Sequence, residues 1–308
     1  MKSLITGAPG FVGRYLYKLL ADSGRAVFAA RLPHEKWEQG DSYILDLLDT
    51  DSIERTLLET KPDVVYHLAA QSSVGLSWND INFTYRVNCE GTVNLLSKIR
   101  ELGLDSRVLL IGSGEEYGRV DRNAVPITEK TILAPCNPYA VSKASQTMTG
   151  CMFAEAFGMD IVMTRSFNSI GAGQASGFVV PDFCKQIADI EAGRIPPVIS
   201  VGNLSAFRDF SDVRDVVRAY RALSEHGKKG EIYNVGSGTA VSIQSILDIL
   251  LSMAAVDIEV VQDPKRMRPS DNPHIEADIT KITECTGWKP ETDLRDSLQS
   301  VLEYWRNR

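Results

Sequence analysis

Cysteine and histidine are scarce in this chain, with 5 and 4 of its 308 residues. Cys89, Cys136, Cys151, Cys184 and Cys285 are odd in number and scattered, without a CxxC pair. A disulfide framework is thereby excluded and a zinc site disfavoured. His34, His67, His226 and His274 are equally dispersed, so no structural metal is expected. No apolar run approaches the ~20 residues that span a bilayer. The first residues, Met1 to Gly7, enter a strand pattern and lack the apolar core of a secretory leader. Together these absences predict a soluble, reducing, cytoplasmic setting with no membrane partner. An excess of basic residues is also missing: 33 Lys and Arg face 40 Asp and Glu, a net charge of −7. That argues against broad nucleic-acid binding. It leaves an anionic small ligand open, since a few local cations set the field of a cleft. With 44% apolar and 24% charged residues, a disordered or collagen-like chain is excluded.

What is present is alternation. Over the first 165 residues, strand patterns at Lys2–Thr6, Arg25–Arg31, Ser42–Asp46, Pro62–Ala70, Arg107–Gly112 and Asp160–Arg165 interleave with helical patterns. The helical patterns are Val12–Ser23, Asn79–Leu102 and Pro138–Phe157. Such alternation predicts βαβ units and a doubly wound, Rossmann-type parallel sheet with both faces covered. Later patterns are less regular. Val180–Ala192, Val213–Ser224, Ser242–Met253 and Leu294–Arg306 read as helices, and Glu231–Val235 as a strand. Loops at Arg194–Pro197 and Asp263–Pro273 are placed to line a ligand site. The expected division is a dinucleotide-binding domain over 1–164 and 209–241, with a smaller α/β substrate lobe over 165–208 and 242–308. No repeat, low-complexity tract or linker interrupts it.

Three motifs carry chemistry. Thr6-Gly7-Ala8-Pro9-Gly10-Phe11-Val12-Gly13 joins the first strand to the first helix. Gly7 permits a tight turn, Gly10 lets backbone approach a pyrophosphate, and Gly13 lets the helix pack closely. The helix opening at Phe11 and Val12 then offers free N–H groups to an anion. Alone, the triplet is a turn; between a strand and a helix at the start of a βαβ unit it predicts a dinucleotide. The second strand ends Ala29-Ala30-Arg31 with no carboxylate for a ribose 2′-OH. Arg31 suits a 2′-phosphate, favouring NADPH over NADH, or is a solvated surface cation.

Asn137-Pro138-Tyr139-Ala140-Val141-Ser142-Lys143 contains Tyr-x-x-x-Lys. Pro138 suits a first helical position, and Tyr139 and Lys143 share one helix face. The lysine charge is expected to lower the tyrosine pKa towards working pH. Without its context the pair would be a surface tyrosine beside a solvated lysine. Upstream, Ile111-Gly112-Ser113-Gly114-Glu115-Glu116-Tyr117-Gly118 ends a strand with a hydroxyl able to hold a substrate carbonyl. The later chain contributes Arg165-Ser166-Phe167-Asn168-Ser169-Ile170-Gly171-Ala172-Gly173-Gln174, then Val179, Lys185, Arg208-Asp209-Phe210 and Arg268-Pro269-Ser270-Asp271. Taken singly, Lys185, Arg208 and Arg268 would be solvated surface cations.

Across nearly the whole chain these motifs resemble the extended short-chain dehydrogenase/reductase family, with GxxGxxG spacing in the turn. Within it the set is most similar to reductases of GDP-4-keto-6-deoxy-D-mannose. The resemblance implies Ser113, Tyr139 and Lys143 as the catalytic set. It sets Asp46 and Leu47 beside adenine, Ala69 and Ala70 beneath the cofactor, and Asn88 and Phe167 in support. His67 then reads as a packed strand residue. Asn168, Val179, Lys185, Arg208, Arg268 and Asp271 would contact a GDP-sugar, with Asp271 where many relatives have Glu and Ala172 where proline is usual. Glu115 stands where dehydratases place an acid/base carboxylate, or is a structural or sugar-hydroxyl contact. The implied reaction is NADPH-dependent reduction of the C4 ketone to GDP-D-rhamnose, or to the talose epimer. A 4,6-dehydratase or epimerase with retained NAD is the alternative, and a non-catalytic NADP-binding sensor a remote one. The helices Asn79–Leu102 and Pro138–Phe157 are expected to form a homodimer face, or only to cover the sheet.

Overall fold

The structure is a computed structural model that describes residues 1–121, 124–266 and 272–308. Arg268 and Asp271 lie outside the described residues. The chain begins β1 (Lys2–Thr6), α1 (Phe11–Asp22), β2 (Ala26–Arg31), β3 (Ser42–Ile44), α2 (Thr50–Thr60) and β4 (Val64–His67). It continues α3 (Val74–Asn79), α4 (Ile81–Tyr85), α5 (Gly91–Glu101), β5 (Arg107–Ser113), α6 (Pro138–Phe157) and β6 (Ile161–Ser166). Then come β7 (Asn168–Ile170), α7 (Val179–Glu191), β8 (Val198–Val201), β9 (Phe207–Asp212), α8 (Val213–His226) and β10 (Ile232–Val235). The last elements are β11 (Ala240–Ser242), α9 (Ile243–Leu251), β12 (Glu259–Gln262), α10 (Thr280–Thr286) and α11 (Leu294–Arg306).

Seven parallel strands form one sheet in the order β10-β6-β5-β4-β1-β2-β3. This is the doubly wound Rossmann-type α/β fold. All of β4 and five of six β6 residues are buried, as strands covered on both faces must be. One face packs Leu16 and Leu20 of α1 against Val216, Tyr220 and Leu223 of α8. The other packs Ile53 and Leu57 of α2, Leu95, Leu96 and Ile99 of α5 and Phe153 of α6. Strand order reverses between β1 and β4, so the crevice at their carboxyl ends is where such sheets receive ligands.

A second core gathers Val180, Phe183 and Ile187 of α7, Ile246, Leu247 and Leu250 of α9, and Leu298, Val301 and Leu302 of α11. It lies with the three-stranded sheet β11-β9-β7 and the pair β12-β8. Ile282 of α10 and Trp288 instead join the α1/α8 core, with Trp288 Nε1 donating to the Asp215 carbonyl.

The helix expected over Asn79–Leu102 starts two residues later, at Ile81, and runs to Glu101. Asn79 ends α3, and Asp80 caps α4, its carboxylate accepting from Phe83 N–H. Between α4 and α5 the five residues Arg86–Glu90 widen into a π-helix. Such bulges recur at functional sites; this one carries Asn88. The helix Pro138–Phe157 forms as expected. Asn137 caps it through Ala140 N–H, Pro138 fills its first turn, and Gly158 at φ +68° ends it.

Candidate functional site

The glycine turn closes the crevice at the end of β1. Gly7 has φ +68°, and a β-carbon there would lie 2.8 Å from Ala69 Cα at the end of β4. A β-carbon on Gly13 would come within 2.6 Å of the Gly7 and Ala8 carbonyls. Gly13 thus fits α1 closely to the turn itself, rather than to the sheet as expected. Gly10 precedes α1 without a side-chain cap, and no acidic residue occupies the first turn at Phe11 and Val12. A backbone cradle with uncapped N–H groups fits a dinucleotide diphosphate.

Around it the other expected cofactor residues take varied places. Arg31 is half-buried and tied down: Nε donates to Ser42 Oγ, and Nη1 to the carbonyls of Leu32, Pro33 and Glu35. A solvated surface cation is therefore not what it is. Asp46 accepts from Leu48 N–H, and Leu47 is buried where a β-carbon on Gly91 would meet it. Ala69 N–H donates to Thr6 Oγ1, and Ala70 is half-buried beside it. Asn88 is fully buried, accepting from Gln71 N–H and donating to the Gln71 carbonyl and Ser142 Oγ. It locks the loop after β4 onto α6. His67 is held between Thr6 Oγ1 and Thr92 Oγ1, each 3.0 Å away. Burial, helped by the Lys143 charge, pushes its pKa down to about 3, so it is a neutral, packed imidazole.

The residues expected to be catalytic come together where β5 meets α6. Ser113 ends β5, and Tyr139 and Lys143 sit on the facing side of α6; all three are buried. Ser113 Oγ accepts from Glu115 N–H at 3.2 Å and lies close enough to Tyr139 to ease its pKa downward. Lys143 Nζ donates to the Ile111 carbonyl at 2.6 Å and Gln146 Oε1 at 2.8 Å. Burial lowers the Lys143 pKa to about 8, against the pull of Glu116 and Cys89. Tyr139 departs from expectation. Its pKa is pushed up well above the ordinary range, first by burial, with Ser113 opposing and Glu115, Glu116 and Tyr220 adding to the rise. Desolvation outweighs the effect expected from Lys143, and the phenol is held protonated, as a proton donor requires.

Glu115 is exposed and accepts from Asn137 Nδ2 at 3.1 Å, next to Tyr139 in sequence. Phe167 is buried with its ring against Gly114, where a β-carbon would lie 3.2 Å away. The lobe residues are looser. Asn168 is exposed and donates to the Asp209 carbonyl; Val179 opens α7; Lys185 pairs with Asp189 at 2.6 Å. Arg208 Nη1 donates to the carbonyls of Phe207 and Asn272. Its neighbour Asp209 is buried and accepts from the N–H groups of Ser237, Gly238 and Ala277. Among the described residues no group of three or more His, Cys, Asp or Glu is placed to hold a metal ion.

Several site-building residues escape a motif-by-motif reading: Glu116, Thr147 and Gln146, together with the buried role of Arg165. Only Glu116 left a local signal, as the third residue after Ser113 in an S-x-x-E capping box.

Comparison with known proteins agrees along the whole chain. A GDP-6-deoxy-D-mannose reductase of Pseudomonas aeruginosa is 36% identical over 304 residues, 99% of this chain and 97% of that protein. A UDP-glucose 4-epimerase of Mycolicibacterium smegmatis is 30% identical over 100% of this chain and 99% of its own length. The solved structure of RMD from Pseudomonas aeruginosa complexed with NADPH superposes with a TM-score of 0.90 at 36% identity, covering 100% of both chains. A Thermotoga maritima UDP-glucose 4-epimerase with UDP-glucose gives a TM-score of 0.91 at 28% identity, covering 100% and 99%. The sequence model of the GDP-mannose 4,6 dehydratase family matches residues 4–301. With its glycine cradle and its Ser113, Tyr139 and Lys143 in place, the chain belongs to that family, among the extended short-chain dehydrogenases/reductases.

Proposed function

We propose that this protein reduces the C4 ketone of GDP-4-keto-6-deoxy-D-mannose with NADPH, giving GDP-D-rhamnose. The carrying observation is the burial of Ser113, Tyr139 and Lys143 together where β5 meets α6, near a glycine turn shaped for a dinucleotide. Similarity to a GDP-6-deoxy-D-mannose reductase supports the substrate, and a relative's structure complexed with NADPH supports the cofactor. The cofactor supplies the hydride. Tyr139 donates the proton to the C4 oxygen and Ser113 holds that oxygen by a hydrogen bond. Lys143 binds the nicotinamide ribose, and Gly7, Gly10 and Gly13 receive the diphosphate. Arg31 pairs with the 2′-phosphate, and Asn168, Val179, Lys185, Arg208, Arg268 and Asp271 hold the GDP-sugar. The division at 1–164 with 209–241, and 165–208 with 242–308, separates the two binding tasks, except that α10 and Trp288 pack with the nucleotide half.

Loss of nicotinamide absorbance on mixing protein, NADPH and the keto sugar tests this assignment. No loss, with sugar conversion by retained NAD instead, would establish the dehydratase or epimerase. The exposed Glu115, held by Asn137 beside Tyr139, favours that second reading. NMR of the product distinguishes rhamnose from talose. Arg31→Ala is expected to weaken NADPH about tenfold and NADH little, as loss of one charge-assisted phosphate contact implies; equal changes in the two Kd values would remove the 2′-phosphate role.

We also place the protein in the cytoplasm as a homodimer. Val141, Met148, Met152 and Phe157 leave an apolar stripe exposed on α6, continuous in apolar character with Leu76, Trp78, Ile81 and Phe83 on α3 and α4. α6 packs against both of those helices. Light scattering gives the mass that decides it. No helix among the described residues is long and apolar enough to cross a membrane.

A further inference from the structure

Beneath the catalytic set lies a carboxylate that the proposed reaction does not use. Glu116 is 0% exposed, and its two oxygens are held by donors on three elements. Oε1 accepts from Ser113 N–H at 2.9 Å and from Thr147 Oγ1 at 3.0 Å. Oε2 accepts from Arg165 Nε at 3.0 Å. The three donors come from the end of β5, from α6 one turn beyond Lys143, and from β6. A buried carboxylate is costly to the fold unless it is paired and fully bonded. Here the pairing is met by Arg165, whose side chain is also nearly buried and whose Nη1 continues to Tyr117 OH at 3.2 Å. Tyr117 OH in turn donates to Asn234 Oδ1 at 2.6 Å. The sequence makes room for this arrangement: a β-carbon on Gly112 would overlap both the Glu116 carboxylate and the Thr164 carbonyl.

We infer that Glu116 is a positioning residue: its carboxylate staples Ser113 on β5 to Thr147 on α6 and to Arg165 on β6, and so fixes the spacing between Ser113 and Tyr139. The inference rests on the reductase reading for its kinetic arm, but not for its binding arm. Tyr139 and Thr147 are eight residues apart on one helix, so anchoring Thr147 anchors the face that carries Tyr139 and Lys143. The charge has a second consequence. Lys143 is faced by Glu116, by Cys89 on the π-helix and by His67 on β4. Tyr139 is faced by Ser113, Glu115, Glu116 and Tyr220 on α8. Glu116 favours the charged lysine and the protonated tyrosine together, the pairing a proton donor beside a ribose-binding cation needs.

Two variants separate reach from charge. Glu116→Gln keeps the length and loses the charge, whereas Glu116→Asp keeps the charge and loses the reach. With NADPH and the keto sugar, both are expected to lower kcat by about 10²-fold while KM changes little, the signature of misplaced reacting groups. NADPH affinity against pH, read by nicotinamide fluorescence without sugar, is expected to break near the Lys143 titration, at about 8. That break should move to lower pH in Glu116→Gln and stay in Glu116→Asp. A folded Glu116→Gln variant with wild-type kcat and an unmoved break would overturn the inference. So would a loss of kcat that merely tracks the fraction unfolded. Where Glu116→Gln does not fold, Thr147→Val removes one leg of the staple, and a severalfold fall in kcat at constant KM is expected; unchanged kcat overturns the inference equally. Wild-type protein inactive towards the keto sugar would sink the reductase reading alone, because the NADPH arm still judges Glu116.

Discussion

The nucleotide half and the sugar lobe hold their candidate residues in opposite ways. At the β5/α6 junction Ser113, Glu116, Tyr139 and Lys143 are buried, and the pKa values of Glu116, Tyr139 and Lys143 are displaced by desolvation and near neighbours. In the lobe, Asn168 is exposed and Lys185 is half-exposed in an i,i+4 pair with Asp189. Buried groups with fixed partners stand ready for chemistry, since little reorganisation is left to do. Half-exposed cations trade one partner for another, and so provide binding energy more than rate. Changes in the first region should therefore act on kcat, and changes in the second on KM.

The largest effect tests that contrast directly. Tyr139→Phe is expected to lower kcat about 10³-fold, the order associated with removing a positioned proton donor. NADPH affinity should stay within a small factor; turnover at the wild-type rate would remove Tyr139 as the acid. Arg208→Ala should raise KM for the GDP-sugar by about 10- to 100-fold, as losing a charge-assisted hydrogen bond implies. A fall in kcat alone would place Arg208 on the catalytic side of the comparison. His67→Gln probes the buried region by stability. The folded imidazole titrates at about 3, far below its ordinary value of 6.5, so its unprotonated form belongs to the fold. Its contribution is complete above that ordinary value and fades as pH falls towards the folded one. One proton then separates the unfolded and folded states, a slope of about 1.4 kcal/mol per pH unit. Urea unfolding between neutral and mildly acid pH should show that slope reduced in the variant. Lys185→Met is expected to have the smallest effect, about threefold on KM, because a half-exposed pair is screened by water.

The glycine turn, the Tyr139–Lys143 pair and the serine at the end of β5 were legible because each is local. Turn, helix face and strand end are fixed by residues a few positions apart. The helix Pro138–Phe157 announced both its ends through Asn137, Pro138 and Gly158. Other features depended on how a side chain or a backbone N–H turns, which residue spacing does not fix. Asp80 stops one helix and caps the next only because Phe83 N–H turns to meet it. Arg31 offered a surface cation or a phosphate partner, and its bonds to Ser42 and the 32–35 turn removed the first. The direction of the Tyr139 pKa was misjudged because pairwise spacing brings Lys143 near but says nothing of how deeply the phenol is desolvated.

By itself the sequence determined the doubly wound fold, the place of the glycine turn and the pairing of Tyr139 with Lys143 on one helix face. Periodicity and short motifs encode these, since backbone geometry is set within a few residues. Only the tertiary structure decided that Glu116 is buried, that Arg165 forty-nine positions away neutralises it, and that Thr147 joins them. Burial and long-range pairing arise when β5, β6 and α6 pack together, and it is burial that converts an ordinary carboxylate, lysine and phenol into groups with altered proton affinities.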